Sequence, residues 1–128
     1  MRKRVVILAS GTGSLTQAII DATELDIQVV AVVSDKADAQ VLERAKKAGI
    51  NTSTISLTGD RAAWDKQLFE QVDKYQPDLV ISAGFMKILS AEFVHYFPTI
   101  NSHPALLPEF PGAHAVRDAL AAGVKVTG

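Results

Sequence analysis

Three short apolar runs, unbroken by any charged residue, constrain most strongly what this chain can fold into. They cover residues 5–8, 29–33 and 79–81 and consist of Val, Ile, Leu and Ala. Runs of this length and composition are typical of β-strands whose two faces are both covered by helices. The sequence therefore predicts a buried, mostly parallel sheet.

The segments between these runs have the periodicity of amphipathic helices. Leu15, Ala18, Ile19 and Ala22 follow the i, i+3, i+4, i+7 pattern of one buried stripe. Two further helices are predicted, over residues 37–48 and around residues 64–72, before Pro77. Their buried positions are expected to be Val41, Ala45, Ala48, Trp64, Leu68 and Val72. The alternation predicts an α/β fold, a Rossmann-like open sheet with helices on both faces, whose ligands bind beyond the carboxyl ends of the strands.

The size and charge of the chain narrow the classes of partner. A chain of 128 residues is the size of one domain. Thirteen Lys and Arg against fourteen Asp and Glu give a net charge of −1, which leaves no basic excess for nucleic acid or an anionic membrane. The apolar runs are far shorter than the roughly 20 residues of a membrane span. The absence of Cys fits a reducing compartment, so the cytoplasm is the expected location.

The loop at residues 10–14, S-G-T-G-S, joins the first predicted strand to the first predicted helix. Its glycines let the backbone approach a ligand, and the N–H groups at a helix start attract phosphate. The alternative is a plain turn in which Ser14 caps the helix. A dinucleotide site is less favoured, because Thr16 replaces the third glycine of G-x-G-x-x-G, although Asp35 does follow the second strand.

Residues 84–89, G-F-M-K-I-L, place bulky apolar side chains in a loop directly after the third buried run. Apolar groups at the surface there indicate a flat ligand that covers them. The alternative is that Phe85, Ile88 and Leu89 turn back into the core, and the spacing does not decide between the two.

Residues 101–104, N-S-H-P, combine two groups that acyl transfer needs. Alternate residues at a strand end point to the same side, so Asn101 and His103 can converge on one reacting atom. An imidazole moves protons near neutral pH, and an amide N–H stabilises the oxyanion formed when a carbonyl becomes tetrahedral. The alternative is a histidine that only hydrogen-bonds its own loop. His95, expected in a short helix, and His114, a minor candidate, lack metal-ligand spacing, so no metal is expected.

Taken in order, S-G-T-G-S at residues 10–14, A-G-F-M-K-I-L at 83–89 and N-S-H-P-A-L-L-P at 101–108 resemble the 10-formyltetrahydrofolate-dependent formyltransferases. The first loop and Pro111-Gly112 narrow the likeness to the phosphoribosylglycinamide (glycinamide ribonucleotide) formyltransferases of purine biosynthesis. The resemblance covers the whole chain. It implies transfer of the formyl group of 10-formyltetrahydrofolate to the amine of glycinamide ribonucleotide.

The resemblance also implies roles for individual residues. His103 would carry the proton, and Asn101 would stabilise the oxyanion with it. The ribonucleotide and its phosphate would contact Gly13, Ser14 and Leu15. The folate would be bound, largely through backbone groups, by Arg61, Met86, Lys87, Ile88, Leu89 and Asn101. The partners would be these small molecules, and the protein would be a monomer or a homodimer.

Two departures from the family pattern carry expectations. Leu15 stands where similar enzymes often have Asn, so only its backbone N–H would remain for the nucleotide. The Asp that raises the pKa of the histidine in the family is expected beyond Gly128, and residues 124–128 have the composition of a strand that is beginning. We therefore expect residues 1–128 to form a formyltransferase catalytic domain that is truncated at its C-terminus, and an enzyme lacking the missing part to be crippled.

Three other functions stay open at this point. A formyltetrahydrofolate hydrolase shares the N-x-H region but commonly carries an N-terminal regulatory domain, whereas the first strand here starts at residue 5. A methionyl-tRNA formyltransferase would need a basic RNA-binding surface. A nucleotide-binding module without catalysis would use only the loop around Gly11.

Overall fold

The computed structural model describes residues 3–22, 26–57, 59–87 and 89–102. The described elements are β1 (Lys3–Leu8), α1 (Ser14–Asp21), β2 (Ile27–Ser34), α2 (Gln40–Lys47), β3 (Asn51–Thr54), α3 (Arg61–Lys74), β4 (Leu79–Ala83), α4 (Ala91–Tyr96) and β5 (Thr99–Ser102). The alternation confirms the α/β fold class and the strands and helices predicted within the described residues, with ends that differ by a few residues.

The five strands form one sheet in the order β3-β2-β1-β4-β5, and every pair is parallel. β1 lies in the middle, with Val5 opposite Val29 of β2 and opposite Leu79 of β4. The chain adds β2 and β3 on one side of β1 and then returns to add β4 and β5 on the other. The carboxyl ends of β1 and β4 therefore flank the point where the strand order reverses, which is where open α/β sheets bind their ligands.

Two apolar clusters cover the two faces of this sheet. Alternate residues of β1 divide between them, because successive side chains of a strand point to opposite faces. Val5 and Ile7 pack with α1 and α2, whereas Val6 and Leu8 pack with α3 and α4. The buried helical residues are Leu15, Ile19, Val41, Leu42 and Ala45 in the first cluster, and Trp64, Leu68, Val72 and Phe93 in the second. Helices on both faces are thus confirmed.

One buried position was predicted wrongly. Ala48 is exposed, because α2 ends at Lys47 and Ala48 is its C-terminal cap, where the chain turns away from the core. Gly49 then takes a φ of +74°, the left-handed conformation expected of a glycine that follows a helix.

Several sequence predictions lie outside the described residues. They concern Ile88, His103, the Pro111-Gly112 turn, His114 and the strand expected at residues 124–128. In the part of the chain that the structure describes, none of the helices is both long enough and apolar enough to cross a membrane.

Candidate active site

The loop between β1 and α1 turns its carbonyl groups toward the rest of the protein. The carbonyl of Gly11 accepts a hydrogen bond from the backbone N–H of Val41 at 3.1 Å. The carbonyl of Thr12 accepts one from Nε of Arg44 at 2.7 Å. Two residues of α2, one at its start and one in its last turn, therefore hold this loop in place.

The amide N–H groups of the same loop differ from its carbonyl groups in their hydrogen bonding. Among the described residues, no partner is found for the N–H groups of Gly11, Thr12, Gly13 or Ser14. These donors lie at the N-terminus of α1, where the helix dipole favours negative charge. The arrangement suits an anionic group such as a phosphate.

The two glycines of this loop differ in backbone conformation and in the space around them. Gly13 is the N-terminal cap of α1 with a φ of +84°, and a Cβ on it would lie 2.6 Å from Cγ2 of Val41. A Cβ on Gly11 would meet no atom within 4 Å. The fold itself requires Gly13, whereas Gly11 leaves an open surface. Ser14 is the first helical residue and not the cap, so the alternative of a turn capped by Ser14 does not apply.

Leu15 and Thr16 follow within the first turn of α1 and are both buried. The side chain of Leu15, 2% exposed, belongs to the core cluster beneath α1 and cannot reach a ligand at the loop. A contact of Leu15 with a nucleotide is therefore confined to its backbone. Thr16 occupies the place of the third glycine of a dinucleotide fingerprint, and its Oγ1 has no hydrogen-bond partner among the described residues.

The loop after β4 divides its apolar side chains between the core and the surface. Phe85 is buried and stacks on Trp64, with ring centroids 6.1 Å apart and planes inclined by 18°. Leu89 is half-buried against the same cluster. Met86 is 72% exposed. Phe85 and Leu89 thus turn back into the core, while Met86 remains available to a ligand.

Arg61 is connected to this loop through Trp64. Its guanidinium carbon lies 4.9 Å from the centroid of the Trp64 ring, and its Nε is 2.9 Å from Oδ1 of Asp65. The indole N–H of Trp64 donates to the carbonyl of Ile55 at 2.6 Å, which fixes the ring. Because Trp64 also stacks on Phe85, Arg61 stands on the same side of the sheet as the loop after β4.

Asn101 lies in β5, opposite Ser82 of β4, and is exposed. It is therefore near the carboxyl end of the sheet, beside the strand that leads into residues 84–87. The convergence of Asn101 with His103 stays a prediction, since His103 lies outside the described residues.

A buried hydrogen-bonded network joins the loops after β1, β2 and β4. The hydroxyl of Ser10 donates to Oδ1 of Asp35 at 2.6 Å and accepts from the backbone N–H of Met86 at 2.8 Å. The ammonium of Lys87 lies 2.7 Å from Oδ2 of Asp35. The carboxylate of Asp35 is 0% exposed. It therefore cannot serve as a surface acceptor for a ribose, which removes the remaining support for a dinucleotide site.

The electrostatics of this network favour a charged Asp35. Burial by itself raises the pKa of the carboxyl, but the hydrogen bonds from Lys87 and Ser10 outweigh it, so the pKa lies below its usual value. Sequence reasoning missed this pair. The available signals were an acidic residue directly after a buried strand and a lone cation in an otherwise apolar loop. The described residues contain no group of three or more acidic or histidine side chains that could hold a metal.

Comparison with known proteins gives consistent matches along the whole chain. Residues 3–128 match the formyl transferase family. The chain is 48% identical over 131 residues to the phosphoribosylglycinamide formyltransferase of Mycobacterium tuberculosis, and 48% identical over 126 residues to that of Escherichia coli. These alignments cover 98% and 93% of this chain, but only 60% and 59% of the two relatives.

The fold comparison agrees. The crystal structure of phosphoribosylglycinamide formyltransferase from Brucella melitensis superposes with a TM-score of 0.77 at 38% identity. The superposition covers 97% of this chain and 68% of that chain.

Proposed function

Because the chain belongs to the formyl transferase family, we propose that the protein transfers the formyl group of 10-formyltetrahydrofolate to the amine of glycinamide ribonucleotide, a step of purine biosynthesis. The observation that carries the proposal is the juxtaposition of two loops at the switch point of the sheet. One offers N–H donors after β1 that have no acceptor among the described residues, and the other presents Met86 after β4. The named relatives support the choice of substrates.

The loop after β1 is the proposed ribonucleotide site. The N–H groups of Gly13, Ser14 and Leu15 stand at the start of α1, where an anion gains from both the donors and the helix dipole. The Ser14 hydroxyl is exposed and can add a further donor. Leu15 contributes its backbone alone, because its side chain is in the core.

The loop after β4 is the proposed folate site. Its backbone at Met86, Lys87, Ile88 and Leu89 would bind the polar edge of the pterin, and the exposed Met86 side chain would cover part of its flat face. Arg61 would lie on the same side, held through Trp64. Asn101, at the end of β5, would face the formyl group between the two sites.

The proposed chemistry rests on the side chains of Asn101 and His103 themselves and on the family resemblance, since His103 lies outside the described residues. The glycinamide nitrogen attacks the formyl carbon and forms a new C–N bond, while the carbonyl oxygen becomes an oxyanion. The side-chain N–H of Asn101 and the imidazole of His103 stabilise that oxyanion. His103 then moves a proton from the attacking nitrogen to N10 of the folate, and the old C–N bond breaks. The products are the N-formylated ribonucleotide and tetrahydrofolate, and no metal is required.

An absorbance assay of folate product formation tests the proposal, run on residues 1–128 and on a polypeptide extended past Gly128 with its natural continuation. We expect transfer to depend on glycinamide ribonucleotide and to be lost in His103→Ala. Release of formate without the ribonucleotide would instead identify a hydrolase. An extended protein that binds nucleotide but transfers nothing, with or without His103, would identify a binding module. We expect the cytoplasm as the location, and a monomer or a homodimer.

A further inference from the structure

We propose that Asp35 is a positioning residue, which holds the backbone of the loop after β4 in the conformation that binds the formyl donor. The identity of that donor rests on the proposed function, but the positioning itself does not. Asp35 would act through Ser10 and Lys87 and would not touch either substrate.

Hydrogen bonds and an ion pair connect Asp35 to two residues of the loop after β4. One carboxylate oxygen of Asp35 accepts from the Ser10 hydroxyl, and that same hydroxyl accepts the N–H of Met86. The other oxygen binds the ammonium of Lys87. Two consecutive residues of the loop are therefore attached, by different routes, to a single carboxylate at the end of β2. The hydrogen bond of Met86 restrains the backbone directly, and the ion pair of Lys87 restrains it through the side chain.

The ion pair between Asp35 and Lys87 is buried. The Asp35 side chain is 0% exposed and that of Lys87 is 23% exposed, so the ion pair is largely removed from water. Apolar residues of similar volume often stabilise a fold as well as a buried ion pair does. The ion pair differs from apolar residues in being directional, because its hydrogen bonds fix the positions of the atoms that they join. At this site those atoms belong to the loop that presents Met86.

The network is also positioned between the two proposed binding loops. The network lies at the carboxyl ends of β1, β2 and β4, next to the switch point, where it couples the loop after β1 to the loop after β4. Ser10 immediately precedes the glycine loop of the proposed ribonucleotide site. The conformation of the loop after β4 therefore depends on where Ser10 holds the loop after β1.

The test is the Asp35→Asn variant of the complete enzyme, with Asp78→Asn as its matched control. Asp78 also accepts a hydrogen bond from a backbone N–H, that of Arg4 at 2.8 Å, but at the amino end of the sheet. For Asp35→Asn we expect the KM for 10-formyltetrahydrofolate to rise about tenfold, the effect of an ordinary coupling between contacting residues, with the KM for the ribonucleotide changed less than about twofold. Asp78→Asn should change neither constant. Equal changes in the two KM values, or no difference between the two variants, would overturn the proposal.

A second measurement needs no catalysis. The backbone amide of Met86 should exchange its hydrogen with solvent at least about tenfold faster in Asp35→Asn than in the wild type. Among single substitutions of Lys87, Lys87→Met should also speed this exchange, whereas Lys87→Arg, which keeps the cation, should speed it less. Unchanged exchange at Met86 in both Asp35→Asn and Lys87→Met would contradict the positioning role. If exchange changes as expected while the wild type neither binds nor uses the folate, the positioning stands and the proposed function fails.

Discussion

Gly13 and Val41 approach each other so closely that a Cβ on Gly13 would lie 2.6 Å from Cγ2 and 2.9 Å from Cα of Val41. The contact includes backbone, so it cannot be relieved by a change of rotamer alone. It sets how near the start of α1 comes to the start of α2. The glycine is therefore required by packing as well as by its φ of +84°.

The first prediction compares the two glycines of that loop. Gly13→Ala should lower the free energy of unfolding by about 3 kcal/mol, the sum of a left-handed backbone penalty and overpacking. Gly11→Ala should cost less than about 1 kcal/mol, since its Cβ meets no atom within 4 Å. Urea denaturation of both variants measures the difference. Similar losses for the two would show that the close contact with Val41 does not exist in solution.

The second prediction concerns Ser14, with Ser90 as its control. Ser90 is a true helix cap whose Oγ accepts from the N–H of Phe93 at 3.1 Å, so Ser90→Ala should cost about 1 kcal/mol of stability. Ser14 makes no capping bond, and Ser14→Ala should leave the unfolding midpoint almost unchanged. Calorimetry should show weaker ribonucleotide binding in Ser14→Ala alone. A stability loss as large as that of Ser90→Ala would argue for a cap at Ser14 after all.

The third prediction is a pH dependence set by Asp35. Its folded-state pKa lies below the usual 3.8, so the ion pair contributes stability above the unfolded-state pKa and loses it as the pH falls through the folded-state pKa. Asp35→Asn should therefore destabilise the protein by about 3 kcal/mol near neutral pH. Below pH about 4 this difference should shrink. Denaturation series at several pH values check it, and a difference independent of pH would exclude the ion pair as its source.

The fourth prediction uses Trp64, the single tryptophan of these 128 residues. Its ring stacks on Phe85 beside the proposed folate loop, and Arg61 lies over it. Binding of the folate should therefore change its fluorescence, whereas the ribonucleotide alone should change it little. Free tryptophan titrated in parallel corrects for absorption by the pterin. A response to the ribonucleotide that equals the response to the folate would contradict our assignment of the two loops.

The fifth prediction concerns Asn101. Asn101→Asp keeps the size of the side chain but replaces its N–H donor by a negative charge, so kcat should fall about 100-fold or more. The matched change Asn51→Asp alters β3, far from the switch point, and should leave kcat unchanged although it disturbs a hydrogen bond to Val30. Steady-state kinetics of the two variants decide the matter. A full-rate Asn101→Asp enzyme would remove Asn101 from the reacting centre.

The strands β1, β2 and β4 were predictable from the sequence because they are largely buried on both faces, which gives apolar runs such as residues 29–33. The helix ends were harder. Ser14 and Gly13 both have the chemistry of a cap, and the choice between them depends on the approach of Val41, which is a tertiary contact.

The network of Asp35 and Lys87 was not predictable for a related reason. The two residues are 52 positions apart, and they meet only because β2 and β4 both neighbour β1. Periodicity reports which face of a strand is buried, but it does not report the order of strands in the sheet. The role of Asn101 was predicted from its spacing to His103 and from the resemblance, and that of Arg61 from the resemblance alone, and both roles stay predictions.

The parallel pairing of β1 with β4 has a consequence for how the protein is made. Residues 5–8 pair with residues 79–82, so the central strand gains its second neighbour only after most of the described chain has been synthesised. Contacts of such long sequence separation form slowly. While β4 is still inside the ribosome, one edge of β1 has no neighbouring strand and is exposed. The proposed site between the carboxyl ends of β1 and β4 cannot form at that stage. Residues 79–83 must therefore emerge before β1 can be paired on both sides.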